Sequence, residues 1–173
     1  DANLQKRFAG FSKRLLYVGR LEREKHPCLA LRAFAKAAPG DTCLIVVGTG
    51  SESAHLEKLA RKLGVERKVF FEGERDSTAY YRLADLVLVT SRYEGYGLVI
   101  IESLAAGKPV LATDVGVARE AGAIVADESR YADALGAWFE GAPREGKLLS
   151  YPYESFDAYA TAYVNDIAAS VKK

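Results

Sequence analysis

The chain has 173 residues, 49% of them hydrophobic, and its 24 basic and 23 acidic residues leave a net charge of +1. That balance lacks the basic footprint of a nucleic-acid binder or of a face drawn to anionic membranes. A chain of this size buries about two-thirds or more of its unfolded surface as one domain, and no run approaches the roughly 18 apolar residues of a membrane span.

Taken in order, Arg14-Leu-Leu-Tyr-Val18 predicts a first strand that runs into a charged loop, Gly19 to Lys25, ahead of a helix over 28–37 with Leu29, Leu31, Ala33 and Phe34. A strand over 42–47 leads through Gly48-Thr-Gly50 to a helix over 53–63, and a strand over 69–71 precedes Glu72-Gly73-Glu74-Arg75 and a helix over 77–83. Asp85-Leu-Val-Leu-Val-Thr90 is a short Val- and Leu-rich run, the pattern of a strand buried on both faces. The helix after it, over 97–106, spaces Leu98, Ile101, Leu104 and Ala105 as on one face. Strands over 109–112 and 123–125 and helices over 130–140 and 155–171 follow, with Pro143, Gly146 and Pro152 marking an irregular stretch. The last helix carries Phe156, Tyr159, Tyr163 and Ile167 at near-helical spacing and is expected to pack back along the domain. Such alternation predicts an α/β, Rossmann-like, doubly wound six-stranded parallel sheet, ordered 3-2-1-4-5-6, with helices on both faces and one domain over 1–173.

The stretch Glu94-Gly-Tyr-Gly-Leu-Val-Ile-Ile-Glu102 spans a strand-to-helix turn. In an open parallel sheet such turns lie at the carboxyl ends of the strands, where ligands bind. Gly95 and Gly97 allow a sharp turn and close approach to a ligand, and the helix start behind them favours an anion such as phosphate. Glu94 is an acceptor at the mouth of that site, and Glu102, roughly 7 Å further along the helix, is placed to accept from ribose hydroxyls. Carboxylates beside a diphosphate need cations nearby, and Arg20 and Lys25 on a loop of the same sheet edge supply them. Taken singly, each of these charges reads as solvated surface of little energetic consequence; their convergence is what would make a site.

These residues resemble a family. Tyr17-Val-Gly-Arg-Leu21 with Lys25, Leu44 to Gly50, Val69 to Gly73, Ala84 to Leu88, Ser91 to Leu98, Glu102 to Asp114 and Arg119-Glu120 resemble, in order, the C-terminal, donor-binding domain of a GT-B-type glycosyltransferase of group 1. The resemblance implies retaining, metal-independent transfer of a hexose from a UDP-, GDP- or ADP-linked sugar to a carbohydrate or lipid-linked acceptor, with no other cofactor. Arg20, Lys25 and Glu94 would be catalytic, the two cations holding the diphosphate and Glu94 the sugar hydroxyls. Gly19, Gly95, Tyr96, Gly97 and Leu98 would line the donor site, Glu102 would hold the ribose, and Gly73 and Glu74 would lie along the base. An acceptor-binding N-terminal domain of the same enzyme would be the partner, so this chain alone is expected to bind donor weakly and transfer nothing. The full enzyme is expected in the cytoplasm, with peripheral membrane association allowed.

The chain departs from the family pattern at Thr49, where an acid is common between the glycines, and at Gly116-Val-Ala-Arg-Glu120, which loses a flexible turn. The loop after Glu120 is short. With no Met anywhere, the sequence is expected to be a fragment or a processed chain. Cys28 and Cys43 predict small buried hydrophobes in a reducing compartment, and with only His26 and His55 beside them they give little support to a zinc site or a catalytic thiol. Two rival readings are a sugar-nucleotide epimerase of similar architecture and a nicotinamide-binding domain, the latter using Gly48-Thr-Gly-Ser-Glu-Ser53 as half a fingerprint with Glu72 as its ribose acid. A binding module without catalysis is a third.

Overall fold

The computed structural model describes residues 2–149 and residue 161. Six parallel strands, β1 (Lys13–Val18), β2 (Thr42–Val47), β3 (Val69–Gly73), β4 (Leu86–Val89), β5 (Val110–Ala112) and β6 (Ile124–Val125), form one sheet in the order β3-β2-β1-β4-β5-β6. This is the order the alternation predicts, and its reversal lies between β1 and β4, where Leu15 pairs with Leu86 and Leu16 with Val87. The ends of these two strands therefore open a crevice between diverging connections.

Among the described residues the helices α1 (Ala2–Arg7), α2 (Pro27–Ala37), α3 (Ser53–Lys62), α4 (Thr78–Leu83), α5 (Leu98–Ala105), α6 (Ala118–Ala121) and α7 (Tyr131–Gly141) flank the sheet. Successive strand residues point to opposite faces, and β4 and β5 are apolar at every position, as β1 and β2 are over Leu15–Val18 and Cys43–Val47, so each face carries its own core. On one side Leu15, Tyr17, Leu44, Val46 and Leu86 pack against α2, α3 and α7. On the other Leu16, Ile45, Val47, Val87 and Val89 pack against α4, α5 and α6. Each fully buried Leu or Ile contributes about 1.5–3 kcal/mol, which is why strands of two to six residues suffice.

Polar devices fix the strand ends. The Asp85 carboxylate accepts from the Arg14 backbone N–H at 2.9 Å and from Arg14 Nε at 3.0 Å, locking the start of β1 to β4. Partial burial works to raise the pKa of Asp85, but the Arg14 hydrogen bonds and the charges of Arg14 and Lys13 prevail and hold it below the usual carboxylate value.

Two expectations need correction. The apolar face of α5 is formed by Ile100 and Leu104 with the small Ser103, while Leu98 at its first position is 63% exposed. Cys28 is half-buried, unlike the fully buried Cys43. The short α1 has no counterpart in the sequence reading, since none of its own residues is buried; the Phe8 that follows it anchors the segment, edge-on to Phe70 at 5.0 Å. The helix expected over 155–171 lies outside the described residues, apart from Thr161, which is helical.

Candidate functional site

The loop after β1 and the loop after β4 meet at the crevice. Arg92 N–H donates to the Glu24 carbonyl at 2.8 Å and Thr90 Oγ1 to the Lys25 carbonyl at 3.1 Å. From below, the Tyr17 hydroxyl lies 3.3 Å from the Arg20 carbonyl and 3.5 Å from that of Lys25, gripping both ends of the basic loop. Burial first, then the charge of Glu94, drives the Tyr17 hydroxyl well above its ordinary pKa, so it remains a proton donor to these carbonyls. The loop ends at His26, which adopts the left-handed conformation (φ 46°), and Pro27 starts α2 at once.

This scaffold brings Lys25 onto Glu94. Lys25 Nζ lies 2.7 Å from Glu94 Oε1, and the Ser91 hydroxyl donates to the same oxygen at 2.6 Å. The two side chains are 21% and 17% exposed, enough shielding for a charge-assisted contact to matter. They border a cavity of about 330 Å³ that also takes in Gly97, Leu98 and Val99 at the start of α5. The first N–H groups of a helix have no intrahelical partners and carry the positive end of its dipole. An ammonium, a carboxylate and a helix start thus share one concavity, a set suited to a phosphate joined to a polyol.

Gly97 makes the turn possible. It caps α5 at φ 96° and ψ 52°, a left-handed conformation that other residues rarely adopt, whereas Gly95 does not use positive φ. The sequence reading missed what holds this turn from behind. Val117 N–H donates to the Tyr96 carbonyl at 3.0 Å, and a Cβ at Gly116 would collide with that same carbonyl oxygen, so the loop after β5 is seated against the loop after β4. Thr113 Oγ1 adds a bond of 2.5 Å to the Ser91 carbonyl. A glycine two residues past Asp114 was the available signal.

The remaining expected residues are placed differently. Arg20 is 70% exposed and pairs with Glu24 at 2.8 Å, one helical step along its own loop. It lines a neighbouring cavity of about 480 Å³ with Gly48, Thr49, Gly50, Glu74 and Arg75. Gly73, at φ 68°, turns the chain out of β3 just before Glu74. The two cavities adjoin through Val18 and Gly19, which line both. Glu102 lines neither; its Oε2 accepts from the Tyr81 hydroxyl at 2.8 Å, a bond that, after burial, raises the Tyr81 pKa. Glu72, the acid a nicotinamide site would need, is 5% exposed and held by Arg7 at 2.7 Å and by the Tyr80 hydroxyl at 3.0 Å.

A family model for glycosyl transferases group 1 matches residues 4–130. The chain belongs to this family. Among its group 1 relatives, the D-inositol 3-phosphate glycosyltransferase of Corynebacterium jeikeium is 38% identical over 140 residues, covering 69% of this chain and 33% of that protein. The glycogen synthase of Mycobacterium tuberculosis is 41% identical over 113 residues, covering 62% of this chain and 27% of that one. In structure, the Anabaena protein HepE, solved with UDP-glucose, matches with a TM-score of 0.72 and 25% identity, over 80% of this chain and 42% of that one. The group 1 chain thus spans no more than about a third of the curated relatives it matches here. Its parallel sheet and flanking helices form an α/β, Rossmann-like fold that matches part of GT-B glycosyltransferases. Among the described residues no helix is long and apolar enough to cross a membrane.

Proposed function

We propose that this chain is the donor-binding half of a retaining glycosyltransferase that moves a hexose from a nucleotide diphosphate sugar to an acceptor held by a second domain. The observation that carries the reading is the Lys25–Glu94 contact of 2.7 Å beside the start of α5. It is supported by the UDP-glucose bound to the structurally similar HepE.

In this reading the donor replaces the internal ion pair. The diphosphate takes the Lys25 ammonium and the α5 amides, while hydroxyls of the sugar donate to Glu94. The nucleoside end extends past Gly19 into the adjoining cavity, where Arg20, Glu74 and Arg75 stand. Arg20 reaches the diphosphate by leaving Glu24, and Glu102 reaches a ribose by leaving Tyr81. As the glycosidic bond breaks, negative charge gathers on the departing diphosphate. Cations and helix dipoles fixed in advance stabilise that charge directly, without a metal ion. Lys25 and Arg20 then contribute more to rate than to ground-state binding, because the charge they meet grows along the reaction. An acceptor domain closing over the crevice excludes water, so the chain alone binds donor and transfers nothing.

Thermal unfolding and calorimetry with UDP-, GDP- and ADP-glucose, with NAD as the contrast, test this. A nucleotide sugar that binds only the folded chain raises its melting temperature in a saturable way, and Lys25→Met removes that rise. Saturable NAD binding with no response to any nucleotide sugar, or sugar transfer by the chain alone, would overturn the reading.

A further inference from the structure

The second face of the basic loop points to a metal. Cys28 stands on the first turn of α2, three residues after Lys25, while Glu52 caps α3 and His55 lies on its first turn. Glu52 and His55 are three apart, a spacing that puts two side chains on one helical face. One ligand atom from each of Cys28, Glu52 and His55 lies within 4.8 Å of the other two, and Cys28 Sγ is 3.9 Å from Glu52 Oε2.

We propose that Cys28, Glu52 and His55 form a binding site for a zinc-like divalent cation, with water as the fourth ligand, that clips the start of α2 to the start of α3. A tetrahedral zinc has thiolate sulfur at roughly 2.3 Å and carboxylate oxygen at roughly 2.0 Å, which sets those two atoms about 3.5 Å apart. That pair, at 3.9 Å, needs only a few tenths of an ångström of closure, and the imidazole nitrogen, within 4.8 Å of both, closes further by side-chain rotation. The donor set is the mixed sulfur, nitrogen and oxygen set that zinc and cobalt(II) accept, and it is a poor one for magnesium or calcium. It also balances charge: a thiolate, a carboxylate and an imidazole nitrogen neutralise a dication. Without the metal the Cys28 thiol faces Glu52 Oε2 as a donor at 3.9 Å, partial burial and then the Glu52 charge holding its pKa above the ordinary value. Arg32, one turn further along α2, works in the opposite direction on the thiol and opposes the cation. Binding therefore releases the thiol proton to solvent as the sulfur–metal bond forms.

The clip acts on a segment that is already tied. Glu52 N–H donates to the Leu21 carbonyl at 2.8 Å, and Glu22 accepts from the Ser51 N–H at 2.9 Å. A metal at Cys28 closes the other end of the same loop, so the cation stiffens the stretch that carries Arg20 and Lys25. Sequence spacing hides the set, because Cys28 lies 24 residues before Glu52.

The test is titration of the purified chain with cobalt(II) alone, then displacement by zinc. Expected are one metal per chain, a sulfur-to-cobalt charge-transfer band with the ligand-field intensity of a four-coordinate ion, and about one proton released per metal, read by calorimetry in two buffers. Cys28→Ser abolishes the charge-transfer band, and Glu52→Gln or His55→Ala weakens binding at least about tenfold. Should Cys28→Ser fail to unfold cooperatively, the other two variants decide. Lys25→Met keeps the cobalt spectrum, which separates this site from the donor cavity. Absence of the band at saturating cobalt, undiminished binding in both His55→Ala and Glu52→Gln, or one metal bridging two chains would each overturn the assignment.

Discussion

Replacing Lys25 by Met removes the ammonium and keeps most of the stem, so it isolates the charge facing Glu94. With the two groups 2.7 Å apart, their gross attraction at an effective dielectric near 20 is about 6 kcal/mol. Most of that is offset by the water both groups give up on burial. In the variant, Glu94 would stay 17% exposed or a little more, with the Ser91 hydroxyl still donating to it. The uncompensated carboxylate then costs about 2 kcal/mol, below the about 3–5 kcal/mol of a fully buried orphan, and lowers the melting temperature by about 4–8 °C in a chain of this size. Glu94→Gln relieves the orphaned charge. Urea unfolding of the parent, both single variants and the double variant therefore closes a cycle with a coupling of about 1–2 kcal/mol at constant m-value. A coupling under about 0.5 kcal/mol would show that the 2.7 Å contact does not stabilise the fold, and the case for a preorganised charge pair would fail with it.

Gly97→Ala places a Cβ 3.0 Å from Ile100 Cδ1 on a residue at φ 96°. It should cost about 1–2 kcal/mol in urea unfolding from the left-handed backbone alone, and an unchanged midpoint would contradict the assigned turn. Asp85 predicts an acid limb. Its folded pKa lies below its ordinary 3.8, so its contribution is complete above the ordinary value and is lost as pH falls through the folded one. Asp85→Asn should lower stability at neutral pH and flatten the decline below about pH 5; parallel decline in parent and variant would remove Asp85 as a cause.

The sheet was legible because its signals are strong and local. Leu86 to Val89 is buried at all four positions, and an apolar run of that length between turn residues has few other uses. Short α6 was not legible, since four residues such as Ala118–Ala121 carry too little periodicity to stand out. At the site, the sequence shows which charges the loops carry but not which partners each charge takes. Arg20 takes Glu24, four residues away, because a local partner costs little chain entropy. Glu102 takes Tyr81 of α4, 21 residues away, on the same face of the sheet. Lys25 and Glu94 meet across 69 residues only because β1 and β4 are neighbours where the sheet reverses its order.

The seating of Gly116 and Val117 against Tyr96 has a consequence for anyone who would redesign this protein. The segment from Ser91 to Gly97 does not own its shape; its foundation stands on the next strand over. Grafted by itself onto another sheet, it would arrive without the buttress that keeps Tyr96 in place. The transplantable module is the pair of neighbouring connections, and in the proposed reading altered donor preference can be sought by varying the buttress as well as the segment it supports.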